Sequence, residues 1–265
     1  MMKPWNETMD QQPSSALIAP NQWRRAPRLY VEQALQADRA LTLTQEQGHY
    51  LVSVMRCRTG APVRVFNGRD GEWEAELVER GRKLVDVVPH RQSRPQTPLG
   101  RIIWFFAPLK QARLDYMVQK AVEMGVASLR PVVTQHTQAQ RINLERMRAN
   151  AIEAAEQCNL LAVPDILPEI KAQTMLDHLP PDAVLIFCDE EAAHRSALHA
   201  LQAVPADKPV VVLIGPEGGF SEAERRLFLS YPAVIRLSLG PRIMRADTAA
   251  VAALTLVQAV CGDLA

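Results

Sequence analysis

The sequence has few of the residues that mark a metal site, a disulfide-bonded scaffold or a membrane protein. Its four cysteines are widely separated, with no C-x-x-C pair and no clustered histidines beside them, which favours reduced thiols. No continuous apolar segment occupies the N-terminal region, and the longest apolar stretch, 249–260, is interrupted by polar residues and too short to span a bilayer. We therefore expect a soluble, cytoplasmic protein without a metal centre or a membrane partner. The cysteines are Cys57, Cys158, Cys188 and Cys261.

The chain also has little net charge. Thirty Lys and Arg residues oppose twenty-nine Asp and Glu residues, so no global positive field indicates a nucleic-acid partner. The charge is nevertheless unevenly distributed, because residues 24–94 hold thirteen basic and nine acidic side chains whereas residues 99–265 hold sixteen and eighteen. An RNA-docking module joined to a catalytic module would have this distribution, although the same excess is common on ordinary solvated surfaces.

The 265 residues, 48% of them hydrophobic, are enough for two domains. Residues 1–23 are polar and without period, which predicts a flexible extension. Residues 24–94 contain short β-forming runs and the turn dipeptides Asn67-Gly68 and Asp70-Gly71, which predict a small β-barrel. The segment 91–98, RQSRPQTP, has no apolar residue and two prolines, so we predict a linker and a domain boundary near residue 98. The predicted strands of the barrel lie within 40–44, 62–66, 73–78 and 83–88.

After this linker, apolar strands alternate with amphipathic helices, which predicts an α/β domain with a mostly parallel sheet covered on both faces. In such sheets, ligands bind in loops at the carboxyl ends of the strands. The predicted strands are 102–107, 129–133, 183–188, 210–214 and 233–237. The predicted helices are 112–124, 144–158, 192–203, 222–229 with Ser221 as its cap, and 250–260.

Two successive strand ends carry unusual loops. The first, GPEGGFSE at 215–222, has three glycines that let the backbone approach a ligand closely, although a simple turn is the alternative interpretation. It matches neither G-x-G-x-x-G nor a phosphate-binding loop with Lys-Ser/Thr. The second, GPRIMRADTA at 240–249, follows the next strand. Neither loop has a nucleophilic triad, a metal-ligand cluster or a redox group, so we expect ligand binding and orientation rather than covalent chemistry.

The two loops, GPEGGFS at 215–221 and LGPRIMRADTA at 239–249, closely resemble those of the RsmE family of ribosomal RNA uridine-N3 methyltransferases, in the SPOUT superfamily. Further similar segments extend the resemblance to residues 27–263 and leave only the N-terminal extension unmatched. Their order and spacing make the resemblance specific, although each alone is weak. These segments are PRLYV at 27–31, HYLVSVMRCRTG at 49–60, VFNG at 65–68, QKAVEMGV at 119–126 and EAAEQC at 153–158.

The resemblance implies a PUA-like RNA-binding β-barrel over residues 24–94 and a C-terminal trefoil-knotted α/β methyltransferase domain over residues 99–265. It also implies S-adenosylmethionine as cofactor, N3 of a uridine in the 16S RNA of the small ribosomal subunit as substrate, and a homodimer. The apolar last helix is the expected dimer interface, but the residues alone are equally consistent with an ordinary buried helix.

The resemblance further assigns the site residues. Arg245 is expected beside the reacting uracil, and Asp247 either orients it, acts as the base or caps the last helix. Arg28 and Arg56 match arginines of the family that point toward RNA, and His49 lies in the same segment, although Arg28 and His49 also suit surface and packing roles. The expected cofactor pocket comprises Leu213, Gly215, Pro216, Glu217 and Gly218 from one loop, with Leu239, Gly240, Ile243, Met244 and Arg245 from the other.

The sequence departs from the family at three places. Ala246-Asp247-Thr248 replaces the usual Thr-Glu-Thr, Met244 replaces a leucine, and Asn159 begins a segment where an arginine is common. Two alternatives therefore remain open. One is a SPOUT methyltransferase that modifies transfer RNA, and the other is a catalytically silent RNA-binding factor in ribosome assembly.

Overall fold

The computed structural model describes residues 19–81, 84–138, 141–192 and 196–264. The chain divides between Thr97 and Pro98 into two compact units, which are described separately below. Most of the predicted N-terminal extension, residues 1–18, lies outside the described residues. None of the described helices is long and apolar enough to cross a membrane.

The first unit is built on a five-stranded sheet in the order β1-β3-β4-β5-β2. Strand β1 is parallel to β3, and the other neighbours are antiparallel. A short helix precedes the sheet, and a helix that continues into a π-helix at Tyr50–Val54 connects β2 to β3. The strands are β1 (Arg28–Tyr30), β2 (Leu41–Thr42), β3 (Pro62–Phe66), β4 (Glu72–Arg80) and β5 (Leu84–Arg94), and the helices are α1 (Pro20–Arg25) and α2 (Gln45–His49).

One face of this sheet forms the core of the unit. Val63 and Val65 of β3, Leu77 of β4 and Val87 of β5 are completely buried, and Leu51 of the π-helix packs with them. The period-2 pattern of these strands explains this arrangement, because alternate side chains point to the same face of the sheet.

Two boundaries in this unit differ from the sequence-based expectation. Strand β5 continues to Arg94, so residues 91–94 of the predicted linker are part of the sheet. The reason is pairing with β4, since Arg91 lies opposite Glu74 and Arg94 opposite Glu72. In addition, α1 begins at Pro20 and buries Trp23, so the end of the predicted extension is folded.

The second unit is an α/β domain with a seven-stranded sheet. Six of its strands are neighbours in the order β12-β10-β11-β6-β7-β8, and the remaining strand, β9, pairs with β7. The strands are β6 (Ile102–Phe106), β7 (Ser128–Val133), β8 (Asp165–Ile166), β9 (Ile170–Lys171), β10 (Val184–Cys188), β11 (Val210–Ile214) and β12 (Val234–Leu237). The helices are α3 (Gln111–Glu123), α4 (Leu144–Gln157), α5 (Ala197–Leu201), α6 (Glu222–Leu229) and α7 (Ala246–Cys261), with a 3₁₀ segment at Ala172–His178.

All described strand pairs of this sheet are parallel, which confirms the prediction from the sequence. Both faces are covered. Phe105 and Leu213 pack on one face with Phe228 of α6, while Trp104 and Phe106, which alternate with Phe105 along β6, are fully buried as well. Burial on both faces explains the continuous apolar runs of these strands.

Two helices differ from their predicted limits. The predicted helix 192–203 is reduced to Ala197–Leu201, with residues 193–195 outside the described part of the chain. The last helix begins at Ala246, four residues before the predicted start, because Arg245 has extended backbone angles and ends the preceding loop. Helix α6 begins as predicted, with Ser221 accepting a hydrogen bond from the backbone N–H of Glu224.

Candidate cofactor-binding site

A cleft of about 280 Å³ lies at the carboxyl ends of β10, β11 and β12, which are neighbours in the sheet. Its volume is near the lower limit of small-molecule sites. Three loops form its walls, because parallel strands bring their carboxyl ends to one edge. The cleft is lined by Cys188, Asp189, Glu190, Ile214, Gly215, Pro216, Glu217, Gly219, Phe220, Arg225, Leu237, Ser238, Leu239, Gly240, Pro241, Arg242, Ile243, Met244, Ala246 and Ala249.

The first wall is the loop after β11, and its shape depends on Gly215. A Cβ atom at Gly215 would lie 2.6 Å from Cε2 of Phe220. The ring of Phe220 is itself fixed by edge-to-face packing on Phe187 and Phe228, with centroid distances of 5.3 and 5.2 Å. Only glycine therefore lets the backbone of this loop pass so close to the aromatic cluster.

The second wall is the loop after β12. Gly240 has φ of +99°, a conformation that favours glycine. Its backbone N–H donates to Oγ of Ser238 at 3.3 Å. Met244 is half-buried, whereas Ile243 is fully exposed at the rim of the cleft. A large apolar side chain in water next to a cleft is available to pack on a flat ligand.

The third wall is the loop after β10, which the sequence patterns did not predict. Asp189 is 4% exposed and accepts hydrogen bonds from Arg225 and Arg236, with distances of 3.1 Å to Nη2 of Arg225 and 2.9 Å to Nε of Arg236. Glu190 is exposed and lines the cleft. Two acidic residues directly after an apolar strand were the available signal, because that position is the carboxyl edge of the sheet.

Cys188 also lines the cleft. Burial, with a further contribution from the charge of Asp189, raises the pKa of the Cys188 thiol to about 12. The raised pKa favours the protonated thiol at neutral pH, and since the thiolate is the nucleophilic form, Cys188 is a poor nucleophile here.

Most of the expected cofactor residues lie together, but three do not line the cleft. Leu213 is completely buried in the core behind it. The carbonyl oxygen of Gly218 accepts a hydrogen bond from Nδ1 of His136 at 3.0 Å, on the far side of the loop. Arg245 is exposed at the start of α7. The seven that do line the cleft are Gly215, Pro216, Glu217, Leu239, Gly240, Ile243 and Met244.

The interpretation of Asp247 as a helix cap is wrong. Arg245 occupies the N-cap position, and Asp247 is the second residue inside α7, where its carboxylate accepts a hydrogen bond from the backbone N–H of Thr248 at 2.8 Å. A carboxylate in the first turn is favoured by the helix dipole but does not start the helix.

A second residue that the sequence did not indicate, Arg113 near the start of α3, connects these elements. Its Nη1 forms an ion pair with Glu217 of the first loop, and its Nε lies 3.9 Å from Oδ2 of Asp247. The guanidinium thus joins a wall of the cleft to the first turn of α7.

The three residues expected to contact RNA differ in exposure. The Arg28 side chain is only 3% exposed and donates from Nε to Glu72 at 2.6 Å, so it cannot face RNA while this ion pair is intact. This position corrects the expectation for Arg28. His49 at the end of α2 and Arg56 after the π-helix are both exposed. Arg56 has φ of +58°, which is uncommon for a residue with a side chain.

Residues 95–258 match the family described as RNA methyltransferase domain, and residues 43–89 match the family described as RNA methyltransferase PUA domain. Two similar relatives are both named ribosomal RNA small subunit methyltransferase E. The relative from Rickettsia conorii is 28% identical over 87% of this chain and 94% of its own length. The relative from Bacillus subtilis is 26% identical over 87% of this chain and 95% of its own length.

A solved structure extends this similarity to three dimensions. It is the ribosomal RNA small subunit methyltransferase E from Neisseria gonorrhoeae bound to S-adenosyl methionine. Its TM-score to this chain is 0.77, at 26% sequence identity, and the match covers 91% of this chain and all of the Neisseria chain.

Proposed function

The chain belongs to the RNA methyltransferase domain family, and from this we propose that it transfers a methyl group from S-adenosylmethionine to N3 of a uridine in 16S ribosomal RNA of the small subunit. The observation that carries the proposal is the cleft formed by three loops at adjacent strand ends, in a chain whose relatives are named ribosomal RNA small subunit methyltransferase E.

The residues of the cleft fit this cofactor. Leu239, Ile243 and Met244 offer apolar surface for the adenine ring, and the glycines of both loops leave backbone groups accessible to its edge. The carboxylates of Glu190 and Glu217 can accept hydrogen bonds from ribose hydroxyls or the amino group of the methionine part. When bound, S-adenosylmethionine supplies an electrophilic methyl group on a sulfonium.

The protein's part in the reaction is to place the uracil and to favour loss of its N3 proton. The guanidinium of Arg245 can donate to a uracil carbonyl oxygen and so stabilise the negative charge that develops on the ring. Asp247, two residues later, orients Arg245 or accepts the proton. Positioning and local electrostatics supply the rate, because no covalent intermediate with the enzyme is needed.

We propose the same architecture that the family resemblance implies. The chain leaving β12 passes through a loop as a trefoil knot, the first unit acts as a PUA-like RNA-binding barrel over residues 24–94, and residues 99–265 form the methyltransferase domain. The working form is a cytoplasmic homodimer with α7 at its interface. Exposed His49 and Arg56 are the proposed RNA contacts of the first unit, whereas Arg28 is buried in its ion pair with Glu72.

Calorimetry with S-adenosylmethionine tests the cofactor, and mass spectrometry of ribosomal RNA nucleosides from a deletion strain tests the substrate. We expect micromolar binding and loss of N3-methyluridine that returns on complementation. Failure to bind S-adenosylmethionine would favour a silent assembly factor. Normal N3-methyluridine with altered transfer RNA nucleosides would favour a transfer RNA methyltransferase.

A further inference from the structure

The face of the first unit's sheet opposite the core carries buried carboxylates. Glu72, Glu74 and Glu76 alternate along β4 and are only 2%, 8% and 8% exposed. Burying a carboxylate at this depth is costly unless cations or hydrogen-bond donors accompany it. The chain places arginines from the neighbouring strands at this face.

Two of these carboxylates, Glu72 and Glu74, hold guanidinium groups in fixed positions. Arg91 donates to Glu74 from both Nε and Nη2, at 3.0 and 2.8 Å, in a two-point geometry. Nη1 of Arg64 lies 3.6 Å from Glu72, which also pairs with Nε of Arg28. Arg64, Glu74 and Arg91 are register partners on three adjacent strands, so the two arginines flank one carboxylate.

A groove lies over this layer, between α1 and the sheet, and we name it the arginine groove. Four arginines and His90 line it against two glutamates, so positive charge is in excess even if His90 is neutral. Nε of Arg64 is buried and has no hydrogen-bond partner among the described residues, which leaves a donor of this layer unsatisfied. The lining comprises Pro20, Trp23, Arg24, Arg64, Glu72, Glu74, His90, Arg91, Ser93 and Arg94.

We propose that the arginine groove binds the phosphate backbone of the substrate RNA, an inference that rests on the proposed function. A guanidinium held by a carboxylate on one edge keeps its other N–H groups available, and its planar fork matches phosphate oxygens. Because the orientation is already fixed, little side-chain entropy is lost on binding. Arg24 on α1 and Arg94 at the end of β5 extend this positive surface along the groove.

This site differs from the RNA contacts expected at His49 and Arg56, which do not line the groove. It also explains the burial of Arg28. That residue offsets the charge of Glu72, which also pairs with Arg64, and so adds to the positive excess of the groove. Arg28 is thus a positioning residue for the arginine groove.

The test compares two variants that each lose two positive charges from exposed positions of the same unit. Arg24→Ala with Arg94→Ala removes charge from the groove. Arg25→Ala with Arg39→Ala is the matched control, since both residues are exposed and neither lines the groove. Binding to protein-free small-subunit ribosomal RNA is measured at several salt concentrations with the full-length protein.

We expect the groove variant to bind this RNA about tenfold more weakly near 0.1 M salt. The slope of log affinity against log salt should become less steep by roughly 1.4 to 1.8, which corresponds to the loss of two phosphate contacts. The control should keep a slope near that of the unchanged protein. Both variants should keep the unfolding midpoint of the unchanged protein. They should also keep its affinity for S-adenosylmethionine, because the cofactor cleft belongs to the second unit.

Equal slopes for the groove variant and the control would overturn the proposal, as would failure of the unchanged protein to bind protein-free RNA. The groove variant could instead bind intact small subunits more weakly while its binding to protein-free RNA is unchanged. This result would mean that the groove contacts a ribosomal protein, and it would also overturn the proposal. Failure of the unchanged protein to bind S-adenosylmethionine contradicts the proposed function instead, and leaves the slope comparison interpretable.

Discussion

Nε of Arg113 lies 3.9 Å from Oδ2 of Asp247, and the same guanidinium pairs through Nη1 with Glu217. One cation therefore stands between the loop after β11 and the first turn of α7. Two carboxylates from different elements would repel each other without it. Because Asp247 is proposed to orient Arg245 or to accept the uracil proton, we propose that Arg113 positions Asp247 for catalysis.

Replacing Arg113 with Gln should lower kcat for methyl transfer by about 10- to 100-fold, since small displacements of catalytic groups have effects of this size. The KM for S-adenosylmethionine should change less. Arg113→Lys should recover only part of kcat, because one ammonium cannot reach both carboxylates at once. Lys110→Gln, an exposed change at the start of the same helix, is the control, and an Arg113→Gln variant with unchanged kcat would refute this role.

Arg245→Ala should abolish detectable methylation while S-adenosylmethionine affinity stays within several fold. The reason is that Arg245 is exposed outside the lining of the cofactor cleft, where it is available to the incoming uracil. A methylation assay on protein-free ribosomal RNA, with calorimetry in parallel, separates the two effects. Arg226→Ala on the exposed face of α6 serves as control, and normal turnover by the Arg245 variant would exclude the proposed role.

Gly215→Ala should lower S-adenosylmethionine affinity by tenfold or more, because the new Cβ would meet the ring of Phe220 at 2.6 Å and push the loop into the cleft. The matched variant is Gly218→Ala, three residues along the same loop. Its Cβ would lie 3.3 Å from Cβ of His136, a contact that a shift of a few tenths of an ångström relieves. Calorimetry should therefore separate the two alanines, and equal affinities would show that the aromatic cluster does not shape the site.

The two glycine loops could be predicted from the sequence because local composition encodes them. Each follows an apolar strand, and parallel strands end at the same edge. Glu190 and Arg113 could not be found in this way. Glu190 follows a strand that carries no glycine loop, and Arg113 reaches Glu217 across 104 residues of sequence, a contact that only the tertiary packing of α3 creates.

The first unit illustrates another limit of sequence patterns. Segment 91–98 has linker composition, yet its first four residues form the end of β5 because Arg91 and Arg94 pair in register with Glu74 and Glu72 on β4. By composition alone Arg28 looks like a surface cation, but it is buried in an ion pair with Glu72. Polar residues at alternate positions on a strand can thus form a buried charged layer, which binary hydrophobic patterning does not indicate.

Asp115 provides a test of pH-dependent stability in the second unit. Burial acts to raise the pKa of this carboxyl, but hydrogen bonds from Arg146, Gln111 and Asn150 outweigh it and hold the pKa below its usual value. Nη2 of Arg146 donates at 2.6 Å, and both amide groups donate at 2.8 Å, which connects α3 to α4. Since the pKa is lower in the folded state, the carboxylate stabilises the fold above the unfolded-state pKa, near 4, and this stabilisation is lost as pH falls through the folded-state pKa.

Asp115→Asn should therefore lower the free energy of unfolding at pH 7 by about 1 kcal/mol, a modest value because Arg146 is half exposed to solvent. The difference from the unchanged protein should shrink steadily below pH 4, where the native carboxyl gains its proton. Urea unfolding at pH 7, 5 and 3 measures this difference in unfolding free energy. The exposed substitution Asp177→Asn serves as control. A difference that stays constant from pH 7 to pH 3 would mean that the shape of the side chain, and not its charge, joins the two helices.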